Sequence, residues 1–443
     1  MEPIEPKMKP ASIERGMKMV KSQLEKAFAQ GQGILRLAPT WVPRAFCRPG
    51  RRIKLHPDDY YVLGTERGAI DERWFASTTR AENGPKTPAD EGLSYVVLEG
   101  PDAQGATGAQ GAAGAQGAVN AERMLLRDAV EALQGQLIGE ELWDKYHKWP
   151  MFSKFFDNLG PLPHHIHHRN VHANRVGREG KPEMYFFPSQ VNNYGGEFPF
   201  TFFGLNPGTR KEDVKRCLED FAKGDNQLLD LSRCYKLALD TGWDVPPGVL
   251  HAPGSLCTYE PQYASDVYSM YQSVLLGGHC VSDSLLWANT PPEEMGNVDY
   301  LLQIIDWDVN VDPDFYAKRF MAPIPVKEVA VMAEEGYLEE WICYKCELAS
   351  AKRLTVEPGR TVTISDSAAY GFILLQGFGT CGAWHIETPT LIRYGEITSD
   401  EFFVSAATAK QGVTITNLSS TEPLVLLKHF AENPDLKIEV HHE

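Results

Sequence analysis

The sequence predicts a mainly β protein with an α-helical insertion and a helical N-terminal extension. From about residue 345 onward, short segments rich in Val, Ile, Thr and Phe, such as "RTVTIS" and "GVTITNL", alternate with Gly, Pro, Asn and Asp turns. This spacing is typical of a small antiparallel sandwich or barrel. Further upstream, "GEFPFTFFGL" has the pattern of a buried strand, and helical periodicity marks the N-terminal region and a stretch after residue 206.

The N-terminal region contains two predicted helices. "ASIERGMKMVKSQLEKAFAQGQG" places the apolar residues from Ile13 to Phe28 on one face, with Ser12 as the cap and Gly31 as the end. Short irregular strands are expected in the Pro-rich stretch that follows. "GATGAQGAAGAQG", residues 105 to 117, has glycine at every third position but no proline, which favours a flexible surface loop over a collagen-like helix. "AERMLLRDAVEALQGQL" predicts the second helix.

Two more helices are predicted in the insertion, at about residues 206 to 240. The first, "TRKEDVKRCLEDFAKG", has a capping box from Thr209 to Glu212. Its apolar stripe consists of Val214, Cys217, Leu218 and Phe221. The second is predicted for "DNQLLDLSRCYKLALDTGW".

Composition excludes several classes of function. The 443 residues carry a formal charge of −16 with a pI near 5.3, and no basic stripe is available for a nucleic-acid partner. The N-terminus lacks the apolar core of a signal peptide, and no run is long enough to span a membrane. A soluble, cytoplasmic protein is expected. Cys343 and Cys346 form a single "CYKC" and are expected to be ordinary strand residues rather than a zinc or redox site.

The segment "PLPHHIHHRNVHANRVGREGKPEMYFF" puts five histidines into the nine positions from His164 to His172. A solvated turn would explain such a cluster without any metal. In a regular strand, however, His165 and His167 point to one side and could share a cavity. His164 and His168 would face the other way, and His168 and His172 are expected behind the ligands or on the surface. Two imidazoles need a further ligand, and Glu183 could return on an adjacent strand.

A further histidine follows a tight turn in "VPPGVLHAPG", where Pro246, Gly248 and His251 form Pro-x-Gly-x-x-His. In this order, His-x-His, a downstream Glu and Pro-x-Gly-x-x-His resemble the two metal motifs of the cupin family. The resemblance implies one divalent metal bound by four side chains: His165, His167, Glu183 and His251. Zinc is the first choice, with Mn, Fe, Ni or Co as alternatives.

The metal glutamate lies in a Lys-Pro-Glu-Met setting that resembles class I phosphomannose isomerases, as do the helical insertion and the stretch "HAPGSLCTYEPQYASDVY". The likeness covers roughly residues 150 to 270 and is weaker for the terminal β region. It implies a bicupin fold and an aldose–ketose isomerase working through a metal-stabilised enediol. The implied catalytic residues are Glu260 as proton shuttle, Lys181 as hydroxyl donor and Asp266 as an orienting residue. From the residues alone, Glu260 could equally be a salt-bridged strand residue and Lys181 a surface lysine.

The resemblance also divides the chain. Residues 1–150 would form the N-terminal extension with its helices and Gly-rich loop, and residues 151–285 the metal-binding cupin domain with its insertion. Residues 286–344 would connect it to a metal-free cupin-like domain, residues 345–443. His385 and His429 stand alone there, without a His-x-His pair.

Departures from the isomerase pattern bear on the substrate. The family usually has glutamine where this chain has His165, and serine where it has Pro163. Met270 stands where the family has an arginine, and no Arg or Lys occurs between Asp266 and Gly278. A phosphate normally requires charge-assisted donors, so an unphosphorylated sugar is expected. The candidates to replace the lost cation from elsewhere are Arg169, Arg175, Arg178 and Arg210.

Two other functions stay open. Three histidines and a glutamate are also the ligand set of cupin dioxygenases, so a metal-dependent oxygenase or lyase is one alternative. A non-catalytic sugar-binding cupin is the other. The expected partner is a small carbohydrate, with no nucleic acid and no membrane, and a homodimer is left open.

Overall fold

The chain was analysed as a computed structural model that describes residues 10–102, 121–192, 198–275 and 277–436. The described part is mainly β, as expected, and its strands form antiparallel ladders. The Gly-rich tract at 105 to 117 lies outside the described residues, so the predicted surface loop stays a prediction.

The strands are short, and in chain order they are β1 Ile34–Ala38, β2 Thr40–Arg44, β3 Ala69–Phe75, β4 Tyr95–Val97, β5 Arg123–Leu125, β6 Met151–Phe156, β7 His165–Ile166, β8 Glu183–Phe186, β9 Phe200–Leu205, β10 Ser232–Lys236, β11 Gly242–Val245, β12 His251–Ala252, β13 Thr258–Tyr263, β14 Ser269–Met270, β15 Phe320–Met321, β16 Ile324–Pro325, β17 Tyr337–Cys343, β18 Ala349–Val356, β19 Thr361–Ile364, β20 Tyr370–Gln376, β21 Phe378–Cys381, β22 Trp384–Glu387, β23 Glu401–Val404, β24 Val413–Asn417 and β25 Leu424–Ala431.

The helices, single 3-10 turns aside, are α1 Pro10–Gln30, α2 Leu126–Leu133, α3 Gly135–Ile138, α4 Glu140–Tyr146, α5 Asn170–Ala173, α6 Lys211–Glu219, α7 Asp283–Leu286, α8 Val298–Ile304, α9 Trp307–Asn310, α10 Phe315–Arg319, α11 Val329–Glu335 and α12 Ala406–Gln411. Helix α1 confirms the first predicted N-terminal helix and its end before Gly31, but it begins at Pro10, so Ser12 lies in the first turn and is not the cap. The second predicted helix begins later than expected, because residues 123 to 125 form strand β5 before α2 starts.

Two sheets surround the histidine-rich region. The first has seven strands in the order β15-β11-β8-β13-β6-β3-β2, and the second has five in the order β10-β9-β12-β7-β14. Glu183 on β8 lies 3.1 Å from His251 on β12, so the two sheets meet at these side chains. A buried, mixed polar and aromatic layer therefore separates the sheets where the site is expected.

The other two sheets contain the C-terminal strands. A nine-stranded sheet has the order β16-β17-β18-β25-β20-β23-β1-β4-β5, and a four-stranded sheet has the order β19-β24-β21-β22. Strands from the N-terminal region, before the expected boundary at residue 150, belong to two different sheets. Strands β1, β4 and β5 extend the nine-stranded sheet, and β2 and β3 extend the seven-stranded sheet near the histidines. The N-terminal strands thus reach both halves of the molecule.

Helix α6 in the insertion confirms the first predicted helix there, and its stripe of Val214, Cys217, Leu218 and Phe221 is buried. The cap lies one residue later than expected. Arg210 is the N-cap, and the carboxylate of Asp213 accepts a hydrogen bond from the Arg210 backbone N–H at 3.0 Å.

The second helix predicted in the insertion is wrong. Residues 228 to 231 form only a 3-10 turn, and Ser232–Lys236 is the edge strand β10, paired with β9. The helical spacing of the leucines was misleading because a tertiary ladder, rather than local propensity, decides the conformation of this segment.

Candidate metal centre

Three histidine rings converge between the two sheets. His165 and His251 lie directly opposite each other on the paired strands β7 and β12, so their side chains point to the same side. His167 follows two residues after His165 and joins them. A potential ligand atom from each ring lies within 4.8 Å of those of the other two, and all three residues are buried. The structure therefore brings together the histidines that strand alternation had paired.

The tight turn before His251 is also as expected. Gly248 has φ +91°, in the left-handed region that favours glycine, and an added Cβ would lie 3.1 Å from the Cβ of Asp306. Its N–H donates to the carbonyl oxygen of His167 at 2.8 Å, which joins the turn to the His-x-His strand.

Backbone carbonyls determine which ring nitrogen faces the cavity. Nδ1 of His165 lies 2.9 Å from the Pro163 oxygen, Nδ1 of His167 2.8 Å from that of Val267, and Nδ1 of His251 2.8 Å from that of Val249. A carbonyl only accepts, so each Nδ1 carries the proton and each Nε2 presents a lone pair. Burial lowers the pKa of His165, and it lowers that of His167 to about 4, which keeps both rings neutral.

Glu183 contacts two of the three rings from the opposite sheet. Its carboxylate oxygens lie 3.0 Å from Nε2 of His167 and 3.1 Å from Nε2 of His251. Because these ring nitrogens carry lone pairs, neither contact is a hydrogen bond, and Nε2 of His251 is buried without a hydrogen-bond partner. Tyr185 donates to the other oxygen at 2.7 Å. Three imidazoles and one carboxylate fit a divalent metal such as zinc.

A cluster of alternating charges lies beside the histidines. Glu260 is directly opposite Lys154 on the β6–β13 ladder, and its Oε1 lies 3.1 Å from the Lys154 ammonium and 3.2 Å from that of Lys181. The Lys181 ammonium also lies 2.7 Å from Glu183. All four side chains are buried, so Lys181 is not a surface lysine. Burial, together with the neighbouring Glu183, raises the pKa of Glu260 despite the two ammoniums.

Asp266 lies at the outer end of this cluster. Its carboxylate accepts hydrogen bonds from the Glu82 backbone N–H at 2.7 Å and from Nη2 of Arg44 at 3.2 Å. Burial alone would raise the pKa of Asp266, but Arg44, Lys181 and Lys154 outweigh it and lower the pKa to about 2. A permanently ionised carboxylate that fixes a loop is suited to orientation rather than to proton transfer.

Sequence reasoning missed Arg44, Glu72 and Lys154. Arg44 on β2 contacts Glu72 on β3 at 2.8 Å, and Glu72 lies 3.8 Å from Lys154. These residues carry no motif, and strands rich in arginine and glutamate look solvent-exposed. The only available signal was the period-2 alternation of Glu72 with Trp74, which places both on the face that carries Lys154.

The remaining histidines of the segment face away from the centre. His164 contacts Gln272 at 2.9 Å and Ser232 at 2.6 Å, and His168 contacts Ser269 at 2.8 Å. Of the two placements expected for His168 and His172, behind the ligands or on the surface, the second is excluded, since both are buried.

Met270 lies beside the histidines. It is directly opposite His165 on the β7–β14 ladder and buried, so its side chain points to the same side as the His165 ring. The four arginines considered as replacements pair with carboxylates elsewhere, which are those of Asp306 for Arg169, Glu293 and Glu294 for Arg175, Glu82 for Arg178 and Asp213 for Arg210.

In the C-terminal sheets, His429 is buried and contacts Ser153 at 2.9 Å, whereas His385 is exposed. Within the described ranges, the three-histidine cluster is the only group of three or more side chains placed to hold a metal. Cys343 ends β17 and Cys346 follows it in a loop, so only one of the two is a strand residue; both are buried free thiols. A metal-free terminal domain stays a prediction.

Comparisons with known proteins agree with the fold. Neither a protein-family model nor a curated protein sequence matches the chain. Among solved structures, mannose 6-phosphate isomerase from Bacillus subtilis has a TM-score of 0.54 at 15% identity, covering 90% of this chain and 99% of that one. A phosphomannose isomerase mutant from Salmonella typhimurium has a TM-score of 0.54 at 11% identity, and the match covers 90% of this chain and 100% of that one. A mannose 6-phosphate isomerase bound with zinc and yttrium has a TM-score of 0.55 at 11% identity, with the same coverage of both chains.

These values show a shared fold, and they confirm at that level the likeness to phosphomannose isomerases that the motifs indicated. No helix among the described residues is long and apolar enough to cross a membrane.

Proposed function

We propose that the protein is a metal-dependent aldose–ketose isomerase that acts on a small sugar. One observation carries the proposal: three Nε2 lone pairs and the Glu183 carboxylate converge next to Glu260, which two ammoniums hold in place. The fold shared with mannose 6-phosphate isomerases supports it. We further propose that the two pairs of sheets are two cupin barrels, a bicupin, in a cytoplasmic protein with the domain boundaries given above.

The proposed ligands are His165, His167, Glu183 and His251. Zinc is the first choice because the donor set suits it and one structural neighbour is bound with zinc. A divalent ion held there supplies Lewis acidity and a template for adjacent carbonyl and hydroxyl oxygens of an open-chain sugar.

The proton transfer is assigned to Glu260. Its carboxylate removes a proton from the carbon next to the sugar carbonyl and returns it to the carbonyl carbon, while the hydroxyl proton of the first carbon passes to the former carbonyl oxygen. A buried carboxylate with a raised pKa suits this exchange near neutral pH. Lys181 contacts Glu260 at 3.2 Å and is placed to donate to a sugar oxygen as negative charge develops. Asp266 holds the loop that contains Glu82.

We propose an unphosphorylated substrate. Arg44 is the guanidinium nearest to Asp266, and its three nitrogens all donate to protein acceptors. The ammoniums of Lys154 and Lys181 are paired with Glu260. Met270 presents a thioether on the side of His165. A phosphate dianion would therefore find no unpaired cation among these groups, whereas neutral hydroxyls can use Lys181 and backbone groups.

The test is metal analysis of the purified protein combined with a screen of unphosphorylated aldoses and ketoses for incorporation of solvent deuterium. About one zinc or manganese per chain with exchange at the carbon next to the carbonyl is expected. Tightly held iron with oxygen consumption would overturn the proposal in favour of an oxygenase. Sugar binding without exchange or turnover would overturn it in favour of a binding protein.

A further inference from the structure

Arg44, in the N-terminal strand β2, contacts the charged cluster from a part of the chain that carries none of the metal motifs. We propose that Arg44 is a positioning residue for the isomerase: it fixes Asp266 and Glu72, and through Glu72 it keeps Lys154 on Glu260. The role rests on the proposed function, because its consequence is the placement of the carboxylate that moves the proton.

The guanidinium of Arg44 is bonded on every side. Nε donates to Glu72 at 2.8 Å, and Nη2 donates to Glu72 at 3.3 Å and to both oxygens of Asp266 at 3.2 Å. Nη1 donates to the Glu82 carbonyl at 3.3 Å and to Asn83 Oδ1 at 3.0 Å. One planar fork thus ties two buried carboxylates to the loop at residues 82 and 83, which a lysine ammonium cannot do with the same geometry.

Aromatic rings enclose the same group. The guanidinium carbon lies 5.9 Å from the ring centroids of Phe46, Trp74 and Tyr268. The Trp74 indole N–H also donates to Glu72 at 2.5 Å. Arg44 is only 2% exposed, so water cannot substitute for its hydrogen bonds. Its orientation is therefore set by packing as well as by charge.

Glu72 transmits the effect to the site. Its carboxylate lies 3.8 Å from the Lys154 ammonium, which lies 3.1 Å from Glu260. While Arg44 pairs with Glu72, the Lys154 ammonium lies closer to Glu260 than to Glu72. Without the fork, the buried Glu72 carboxylate keeps the Trp74 N–H but loses its guanidinium, and Lys154 is then the nearest cation that can neutralise it. Lys154 then moves toward Glu72 and leaves Glu260 with Lys181 alone.

The chain following Asp266 offers no replacement. No arginine or lysine occurs from Asp266 to Gly278. The guanidinium that pairs with Asp266 therefore comes from a strand more than two hundred residues earlier in the sequence.

The experiment compares Arg44→Lys and Arg44→Gln with Arg73→Lys. Arg73 is a matched control, since it adjoins Glu72 on β3, is 2% exposed and makes a two-pronged ion pair, but with Asp400 in the other half of the molecule. In the zinc-loaded protein, kcat should fall tenfold or more for both Arg44 variants, with KM changed less than threefold and metal content unchanged. Arg73→Lys should lower Tm and leave kcat of the folded enzyme unchanged.

Crystal structures of Arg44→Lys and Arg73→Lys provide a measurement that does not depend on turnover. The distance from Lys154 Nζ to Glu260 should exceed 4 Å in the first variant and stay near 3.1 Å in the second. A folded Arg44→Lys protein that retains both this distance and its kcat would overturn the positioning role. A wild-type protein that isomerises no sugar would overturn the proposed function, while the two distances would still decide whether Arg44 positions Lys154.

Discussion

Replacing Glu260 with glutamine should separate its chemical role from its structural one. The glutamine is nearly isosteric and keeps a carbonyl oxygen near the ammoniums of Lys154 and Lys181, which now lie 3.1 and 3.2 Å from the carboxylate. It cannot accept and return a proton. Removing such a group lowers kcat by about 10²- to 10⁴-fold, equivalent to about 3 to 5 kcal/mol of activation free energy.

The stability cost can be estimated from the same contacts. Breaking a buried ion pair by removing one partner costs about 3 to 5 kcal/mol. Both ammoniums retain a carboxylate, since Lys181 lies 2.7 Å from Glu183 and Lys154 lies 3.8 Å from Glu72. Burial and Glu183 also disfavour the ionised form of Glu260, as its raised pKa indicates, so a neutral glutamine should lower the free energy of unfolding by less than about 3 kcal/mol.

The assay measures solvent-deuterium exchange into a sugar substrate, metal content and urea unfolding on the same preparation. Glu339→Gln is the control, because Glu339 is a buried carboxylate of the nine-stranded sheet that pairs with Lys428 and not with the charged cluster around Glu260. It should lose stability and keep its exchange rate. If Glu260→Gln retained more than a tenth of kcat, or lost its metal, the reasoning would be wrong.

Three further outcomes are expected. His251→Ala should lose most of the bound metal while His172→Ala keeps it, as measured by metal analysis after dialysis; equal loss would refute the ligand assignment. In a matched pair of a sugar and its 6-phosphate, turnover or thermal shift should favour the free sugar, and a tenfold preference for the ester would mean that another cation serves the site. Burial raises the pKa of Asp366, but Lys428 and Lys352 more than offset it, so the folded-state pKa is lowered. The resulting stability is present above the unfolded-state pKa and is lost as the pH falls through the folded-state value. In the Asp366→Asn variant, the free energy of unfolding measured by urea should therefore fall less steeply as the pH drops below about 4. The same steepness in the variant and the wild type would contradict this.

The positions of the proposed metal ligands were predictable because they depend on local rules. Strand alternation pairs His165 with His167 on one face, and the tight turn at Gly248 delivers His251 to the neighbouring strand. Both rules apply within a few residues. They hold here because β7 and β12 are buried on both sides, so a slip of one residue would put Ile166 in place of one converging ring and leave a single histidine, His164 or His168, beside it.

The charged cluster was not predictable, because it depends on contacts between distant segments. Arg44, Glu72 and Lys154 come from three strands whose order in the sheet is decided by pairing across the whole chain. Nothing in their local sequence distinguishes a buried arginine from an exposed one. The misassigned helix at residues 225 to 243 has the same cause, since β10 exists only because β9 is beside it.

The charges of the cluster agree with the choice of a neutral substrate. The contacting side chains are three cations, from Arg44, Lys154 and Lys181, and four carboxylates, from Glu72, Glu183, Glu260 and Asp266. With neutral histidines and with Glu260 ionised, as it must be to remove the proton, their sum is one negative charge, and a divalent ion would change it to one positive charge.

Moving a proton along an open-chain sugar develops about one negative charge on the sugar oxygens. That is the charge which such a site would neutralise, and stabilising charge where it develops is usually the largest part of catalysis. A phosphate dianion would reverse the balance before the reaction began, in a site where the ion pairs leave no cation among these groups free to meet it. The preference for an unphosphorylated sugar therefore follows from the whole cluster and not from Met270 alone.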